Sequence, residues 1–163
     1  MTDNAFPTLS SANTEAFLEE PGAFLGRQPI LDRNQQLIGY ELLYRADAVT
    51  NEALVTDDNY ASVVVVASLL QDLGAEQVLG GKLGFINVGI ETIGPDSPLG
   101  LLDPKHTVLE FSSRMPTDEK TLARLGELRR EGYGIAVTVD SPAVVRQPLF
   151  ALTTHAKVDL LQI

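Results

Sequence analysis

The chain has 163 residues, 44% of them hydrophobic and 21% charged, with a formal net charge of −10 and no cysteine. That length supports one domain with a real core, while an acidic balance without any basic cluster excludes nucleic-acid binding through the phosphate backbone. Disulfides, thiolate metal sites and a cysteine nucleophile are excluded as well, and the longest apolar stretch, residues 61–70, is too short to cross a bilayer.

No basic segment followed by an apolar run opens the sequence, which points to a cytoplasmic protein. Residues 1–22 carry four acids (Asp3, Glu15, Glu19, Glu20), no Lys or Arg and little periodicity. They read as a mobile acidic tail, with the body of the domain over 23–163. Residues 24–31 and 37–44 predict two strands, joined by a turn at Asp32-Arg33-Asn34-Gln35. From 58 to 73 the pattern turns helical, with Asp57 or Asp58 as N-cap and Gly74 as C-cap. The β-branched run Val63 to Val66 argues for a strand. The length of the segment and its caps outweigh that.

Gly80-Gly81-Lys82 reads as a turn before a strand over 83–88, since no P-loop pattern surrounds it. A Gly/Pro-rich loop follows through Gly100, then a strand over 107–111. Residues 116–130 predict a helix capped by Thr117, with Leu122, Leu125 and Leu128 along one face, ended by Gly132 and Gly134. A strand over 135–139, a short helix over 142–152 and a final strand over 157–163 complete the order. Strands alternating with helices argue for an α/β fold with a largely parallel sheet. A complete (β/α)8 barrel takes about 250 residues. The closing apolar strand therefore predicts that more polypeptide follows, or that a partner or a second copy covers it.

Three polar residues interrupt the apolar strands. Glu41, Asn87 and Glu110 each sit late in a strand, where functional groups gather in parallel α/β sheets. An ionised carboxylate in a buried strand is costly unless a cation or donor meets it. Two carboxylates and an amide oxygen form a hard, all-oxygen set suited to Mg²⁺, Mn²⁺ or Ca²⁺. The alternatives at this stage are structural: Asn87 capping a turn, Glu41 pairing with Arg45 and Glu110 facing solvent. His106 and His155 read as loop residues, and Ser112-Ser113 lacks a nucleophile-elbow setting.

At these positions the sequence resembles the EAL-domain family, named for a Glu-Ala-Leu motif. Its members are (β/α)8-like barrels that hydrolyse cyclic di-GMP with divalent metals. The nearest likeness is to the divergent EAL-like domain found ahead of HDOD domains in bacterial signalling proteins. Gly26-Arg27-Gln28-Pro29-Ile30-Leu31-Asp32 resembles the family's opening strand, and Glu41-Leu42-Leu43-Tyr44-Arg45 its Glu-x-Leu-x-Arg signature. Phe85-Ile86-Asn87-Val88, Leu109-Glu110 and Lys157-Val158-Asp159 follow at the expected points. The resemblance implies an incomplete TIM-barrel-like EAL fold that begins with a strand hairpin. It implies Glu41, Asn87 and Glu110 as metal ligands for Mg²⁺ or Mn²⁺, Gln28 and Arg45 as dinucleotide contacts, and Lys157 as the active-site lysine.

One motif departs from the family. Its Asp-Asp-Phe stretch corresponds here to Thr138-Val139-Asp140. Asp140 could compensate only by a two-residue shift of roughly 6–7 Å along the strand, large beside a metal–oxygen bond of about 2.0–2.6 Å. The family's later strands, with their further acidic residues, have no counterpart. The resemblance therefore implies a degenerate module with a vestigial Lys157. Such a module acts through a protein partner or a following HDOD domain and retains residual cyclic di-GMP binding. The alternative it leaves open is a metal-dependent cyclic di-GMP phosphodiesterase.

Overall fold

Among the described residues six strands form one sheet whose spatial order repeats the chain order, β1 to β6. The computed structural model describes residues 24–45, 59–94 and 96–158. The expected acidic tail, the Asp57/Asp58 cap and residues 159–163 of the expected last strand lie outside that range. β1 (Phe24–Leu31) and β2 (Leu37–Arg45) make the antiparallel hairpin, and the Asp32 carboxylate holds its turn by accepting from the backbone N–H of Asn34 and Gln36. β3 (Leu83–Asn87), β4 (Thr107–Phe111), β5 (Gly134–Thr138) and β6 (His155–Lys157) then add in parallel, each beside its predecessor. The sheet curls into a half-barrel. Its central parallel strands are the most buried, with every residue of β4 buried and the middle residues of β3 and β5 with it, as crossover helices on a parallel sheet require.

Alternation along the strands splits the core in two. Leu42, Ile86, Leu109, Phe111, Ile135 and Val137 point to the convex side, where they pack with Val63, Val66 and Ala67 of helix α1 (Asn59–Leu73) and Leu125 and Leu128 of helix α3 (Glu119–Glu131). Phe85, Val108 and Ala136 point to the concave side and form a smaller layer with Ile30 and Leu83. The β-branched run is thus helical because its side chains cover the sheet. Tertiary packing overrides its strand propensity.

The elements and their connections differ from expectation in several places. A short helix α2 (Ala75–Leu79) follows Gly74 directly; Arg27 of β1 lies over the Tyr40 ring and donates to the carbonyl of Val78 at its end. The Gly/Pro-rich connection is wound into three 3-10 turns, Ile90–Ile93, Pro98–Leu101 and Pro104–His106. Pro98 and Pro104 open the last two, with Ser97 and Asp103 accepting as caps. Helix α3 starts later than predicted: Asp118, not Thr117, is its cap, accepting from the Thr121 N–H at 2.9 Å. Its buried face is Thr121, Leu125 and Leu128, with Leu122 half-buried at the margin. Gly132 ends it at φ 110°, a left-handed conformation that a side chain resists.

The helix predicted over 142–152 is instead two 3-10 turns, Val144–Arg146 and Pro148–Leu152. Pro148 cannot donate into a continuous α-helix and so divides the segment. Finally, β6 begins at His155, two residues before the predicted start. His155 is therefore a strand residue and not a loop residue.

Candidate functional site

The concave face carries a row of polar groups at the carboxyl ends of the strands. Glu41 lies on β2, Asn87 ends β3, Glu110 lies on β4, Thr138 ends β5 and Lys157 ends β6. Register places them side by side, since Asn87 pairs with Glu110 and Thr138 with Lys157. Glu41 is opposite Phe85, two residues before Asn87. Odd and even positions alternate between faces, so all five side chains emerge above the Phe85–Val108–Ala136 layer.

Their contacts close on one another. The Lys157 ammonium donates to Glu41 Oε2 at 2.6 Å and to both Glu110 oxygens, Oε1 at 2.9 Å and Oε2 at 2.7 Å. Asn87 Nδ2 donates to Glu41 Oε1 at 2.8 Å. The Thr138 hydroxyl donates to Glu110 Oε1 at 2.8 Å. Each of the four carboxylate oxygens therefore accepts at least one internal hydrogen bond, and all three N–H bonds of the ammonium find an acceptor. The side chains of Lys157, Glu41 and Glu110 are 19%, 12% and 7% exposed. In such surroundings a charge pair is sustained only with its hydrogen bonds complete.

Burial alone would lower the Lys157 pKa. Hydrogen bonds to Glu110 and then Glu41 outweigh it and hold the group above the ordinary lysine value. Two carboxylates against one ammonium leave the cluster with one net negative charge. Beneath it, His155 meets Phe85 edge to face at 5.4 Å, and its Nδ1 lies 2.8 Å from the Thr154 hydroxyl. Burial lowers the His155 pKa.

The other candidates fall as follows. Gln28 of β1 is opposite Glu41, on the same face and exposed. Arg45 ends β2, and its side chain lies outside the described residues, as does any pairing with Glu41. Asp140 is exposed and accepts from Ser113 at 3.4 Å; the β5 residue that reaches Glu110 is Thr138. His106 ends its turn and pairs with the capping Asp103, with Nδ1 and Oδ2 2.6 Å apart.

The structural alternatives for Asn87 and Glu110 do not describe this arrangement. Asn87 binds Glu41 rather than capping a turn, and Glu110 is buried. Sequence reasoning missed the donor role of Thr138 and the bridging position of Lys157. A lysine opening a predicted apolar strand was the only local signal. Among the described residues, no group of three or more His, Cys, Asp or Glu side chains could hold a metal ion. No described helix is long and apolar enough to cross a membrane.

No family model matches the chain. Over 114 residues it is 31% identical to the protein YuxH of Bacillus subtilis (strain 168), a match covering 70% of this chain and 27% of YuxH. The chain thus spans about a quarter of that relative. Among solved structures, the Vibrio cholerae LapD S helix-GGDEF-EAL protein bound to c-di-GMP superposes with a TM-score of 0.59 at 14% identity, covering 93% of this chain and 42% of that one. The Bacillus subtilis YkuI protein, which has an EAL domain and is in complex with substrate c-di-GMP and calcium, gives 0.54 at 18% identity, covering 85% and 46%.

Proposed function

From a chain that folds as an incomplete TIM-barrel-like EAL domain, we propose a catalytically inactive signalling module that acts by binding a protein partner. It keeps a residual capacity for cyclic di-GMP. The observation that carries this reading is the closed bonding of the carboxylate pair: all four oxygens of Glu41 and Glu110 already accept from Asn87, Thr138 or Lys157. A magnesium ion asks for octahedral oxygen ligands at about 2.0–2.1 Å. Hydrolysis by two metals asks for a second set about 3.5–4 Å away. The donors around Glu41 do not fit that demand, and Thr138 and Val139 stand where the family supplies two carboxylates. In this reading no Mg²⁺ or Mn²⁺ is held tightly, and Lys157 is a structural cation rather than a catalytic one.

Cyclic di-GMP enters the proposal through the solved neighbours bound to it and through Gln28 beside the cluster, with Arg45 at the end of the same hairpin. The net negative charge of the cluster works against a phosphodiester ligand, so binding is weak. The match to a quarter of YuxH supports a partner within a longer chain, of which an HDOD-type domain is the proposed example. Pairing of two copies through the C-terminal strand is the competing arrangement. We place the module in the cytoplasm, in keeping with a chain that has no cysteine.

The test is calorimetric titration of the full chain with cyclic di-GMP, with and without Mg²⁺, beside a turnover assay with Mn²⁺. Weak binding that ignores the metal, and no turnover, are expected. The convergence of Glu41, Asn87 and Glu110 favours the phosphodiesterase alternative. Mn²⁺-dependent hydrolysis abolished by Glu41→Ala would establish it and overturn the inactive module.

A further inference from the structure

We infer that His155 is a proton-dependent charge in the floor of the site: a proton taken up there in mildly acidic medium cancels the excess negative charge of the Glu41, Glu110 and Lys157 cluster and lets the pocket accept an anionic phosphodiester. The inference deepens the proposed function and rests on its residual capacity for cyclic di-GMP.

The two-residue period of the strands sets a second row beneath the polar one. It consists of Gly39, Phe85, Val108, Ala136 and His155, each two residues before a member of the row above. Phe85, Val108 and Ala136 are buried, and His155 is the one ionisable group among the five. Its ring is held in place. Register sets His155 beside Ala136, and the edge-to-face contact with Phe85 orients the imidazole. Phe85 in turn covers Gly39, where an added Cβ would lie 2.8 Å from its ring. The row thus runs from His155 to the backbone beneath Glu41.

Hydrogen bonding leaves the ring able to take a second proton without rearrangement. The Thr154 hydroxyl donates to the Ile135 carbonyl at 3.0 Å and accepts from the Ile135 N–H at 2.8 Å. With its single hydrogen so committed, the hydroxyl oxygen accepts from His155 Nδ1, 2.8 Å away. Nε2 is then the nitrogen that gains the proton, and the Nδ1 bond persists in both states. Burial holds the His155 pKa below the ordinary histidine value of 6.5, so the ring is neutral at neutral pH and charges only in acid. The unfolded chain protonates first. Folding stability therefore falls as pH drops through 6.5 and levels off below the folded value. A bound anion opposes that loss by favouring the charged ring.

Few charges face this ring among the described side chains. Lys157 follows it on β6, Glu110 comes from β4 and Glu41 from β2. β1, β3 and β5 present Gln28, Asn87 and Thr138, which carry no charge, and Asp140 on the rim accepts from Ser113. Two carboxylates and one ammonium leave one net negative charge, and a proton on His155 brings the sum to zero. That proton stands one row below Lys157, roughly 6–7 Å along the strand, within a Debye length of about 8 Å at physiological ionic strength. A phosphodiester keeps its own charge over this pH range, so the change in affinity comes from the protein.

The test uses the full chain and follows both histidine rings by NMR through a pH titration. His106, paired with Asp103 before β4, is the internal control. Glu110→Gln should lower the His155 pKa and Lys157→Met should raise it, each by about half a unit or more, with His106 unmoved. Should either variant fail to fold, the other decides. Calorimetric titration with cyclic di-GMP should show binding about fivefold tighter at about pH 5 than at about pH 7.5. His155→Phe, which keeps a ring against Phe85, should lose that difference; His155→Gln replaces it if the phenylalanine variant does not fold. A His155 ring that titrates alike with and without its charged neighbours overturns the inference. So does a pH dependence that survives in the His155 variants. Equal binding at both pH values sinks this inference alone, whereas no binding at either sinks the nucleotide reading with it.

Discussion

Removing the Lys157 charge while keeping its length isolates the energetic role of the cluster. In Lys157→Met two carboxylates, 12% and 7% exposed, lose their common counter-charge. Stripping one partner from a buried ion pair costs about 3–5 kcal/mol, because the remaining charge stays desolvated. Residual exposure and the donors Asn87 and Thr138 place this case at the lower end, about 3 kcal/mol. For a domain of this size that lowers the melting temperature by roughly 10 °C. The same reasoning predicts non-additivity. With Glu110→Gln added, Lys157→Met strands only one carboxylate, so the double variant should be about 2 kcal/mol more stable than the two single losses predict. Urea unfolding of the four proteins in EDTA measures the cycle. Losses additive within about 0.5 kcal/mol, or a Lys157→Met cost under about 1 kcal/mol, would refute the claim that these charges form one bonded unit.

Three further outcomes test how the fold supports the site. Tyr133→Phe removes the 2.7 Å bond from its buried hydroxyl to the Leu99 carbonyl and should cost about 1 kcal/mol in urea unfolding. Gly39→Ala should cost about 1–3 kcal/mol, because the added Cβ would lie 2.5 Å from the Leu83 carbonyl oxygen in the neighbouring strand; an unchanged midpoint would show that β2 and β3 tolerate separation beneath Glu41. The backbone hydrogen bond from Thr121 holds the Asp118 pKa below the ordinary aspartate value of 3.8. A carboxyl lowered on folding stabilises the fold above the unfolded value and loses that contribution as pH falls through the folded one. The gap in unfolding midpoint between wild type and Asp118→Ala should therefore be present at neutral pH and close below pH 3.8.

Much of the architecture is legible in local pattern. The hairpin, helix α1 and the alternation behind the parallel sheet follow from apolar periodicity and turn residues, signals that act over a few residues. Errors gather where two local rules compete. Pro148 divides a segment whose apolar content reads as one helix, and Asp118 out-competes Thr117 for the cap because its carboxylate reaches the Thr121 N–H. The 3-10 turns between β3 and β4 leave no periodic trace, being three or four residues long.

The sequence by itself determined that Glu41, Asn87 and Glu110 sit late in apolar strands, and its resemblance to the EAL pattern set Thr138 and Val139 against that pattern's carboxylates. These follow from the two-residue period of a strand and from residue identity. What only the tertiary structure decided is what meets those carboxylates. Lys157 lies 116 residues from Glu41, and no periodicity relates them. Their contact depends on the stagger between strands, which is set by helices packing on the opposite face. The sequence reading left Glu41 in need of a cation, and the curl of the sheet brings that cation from the last strand.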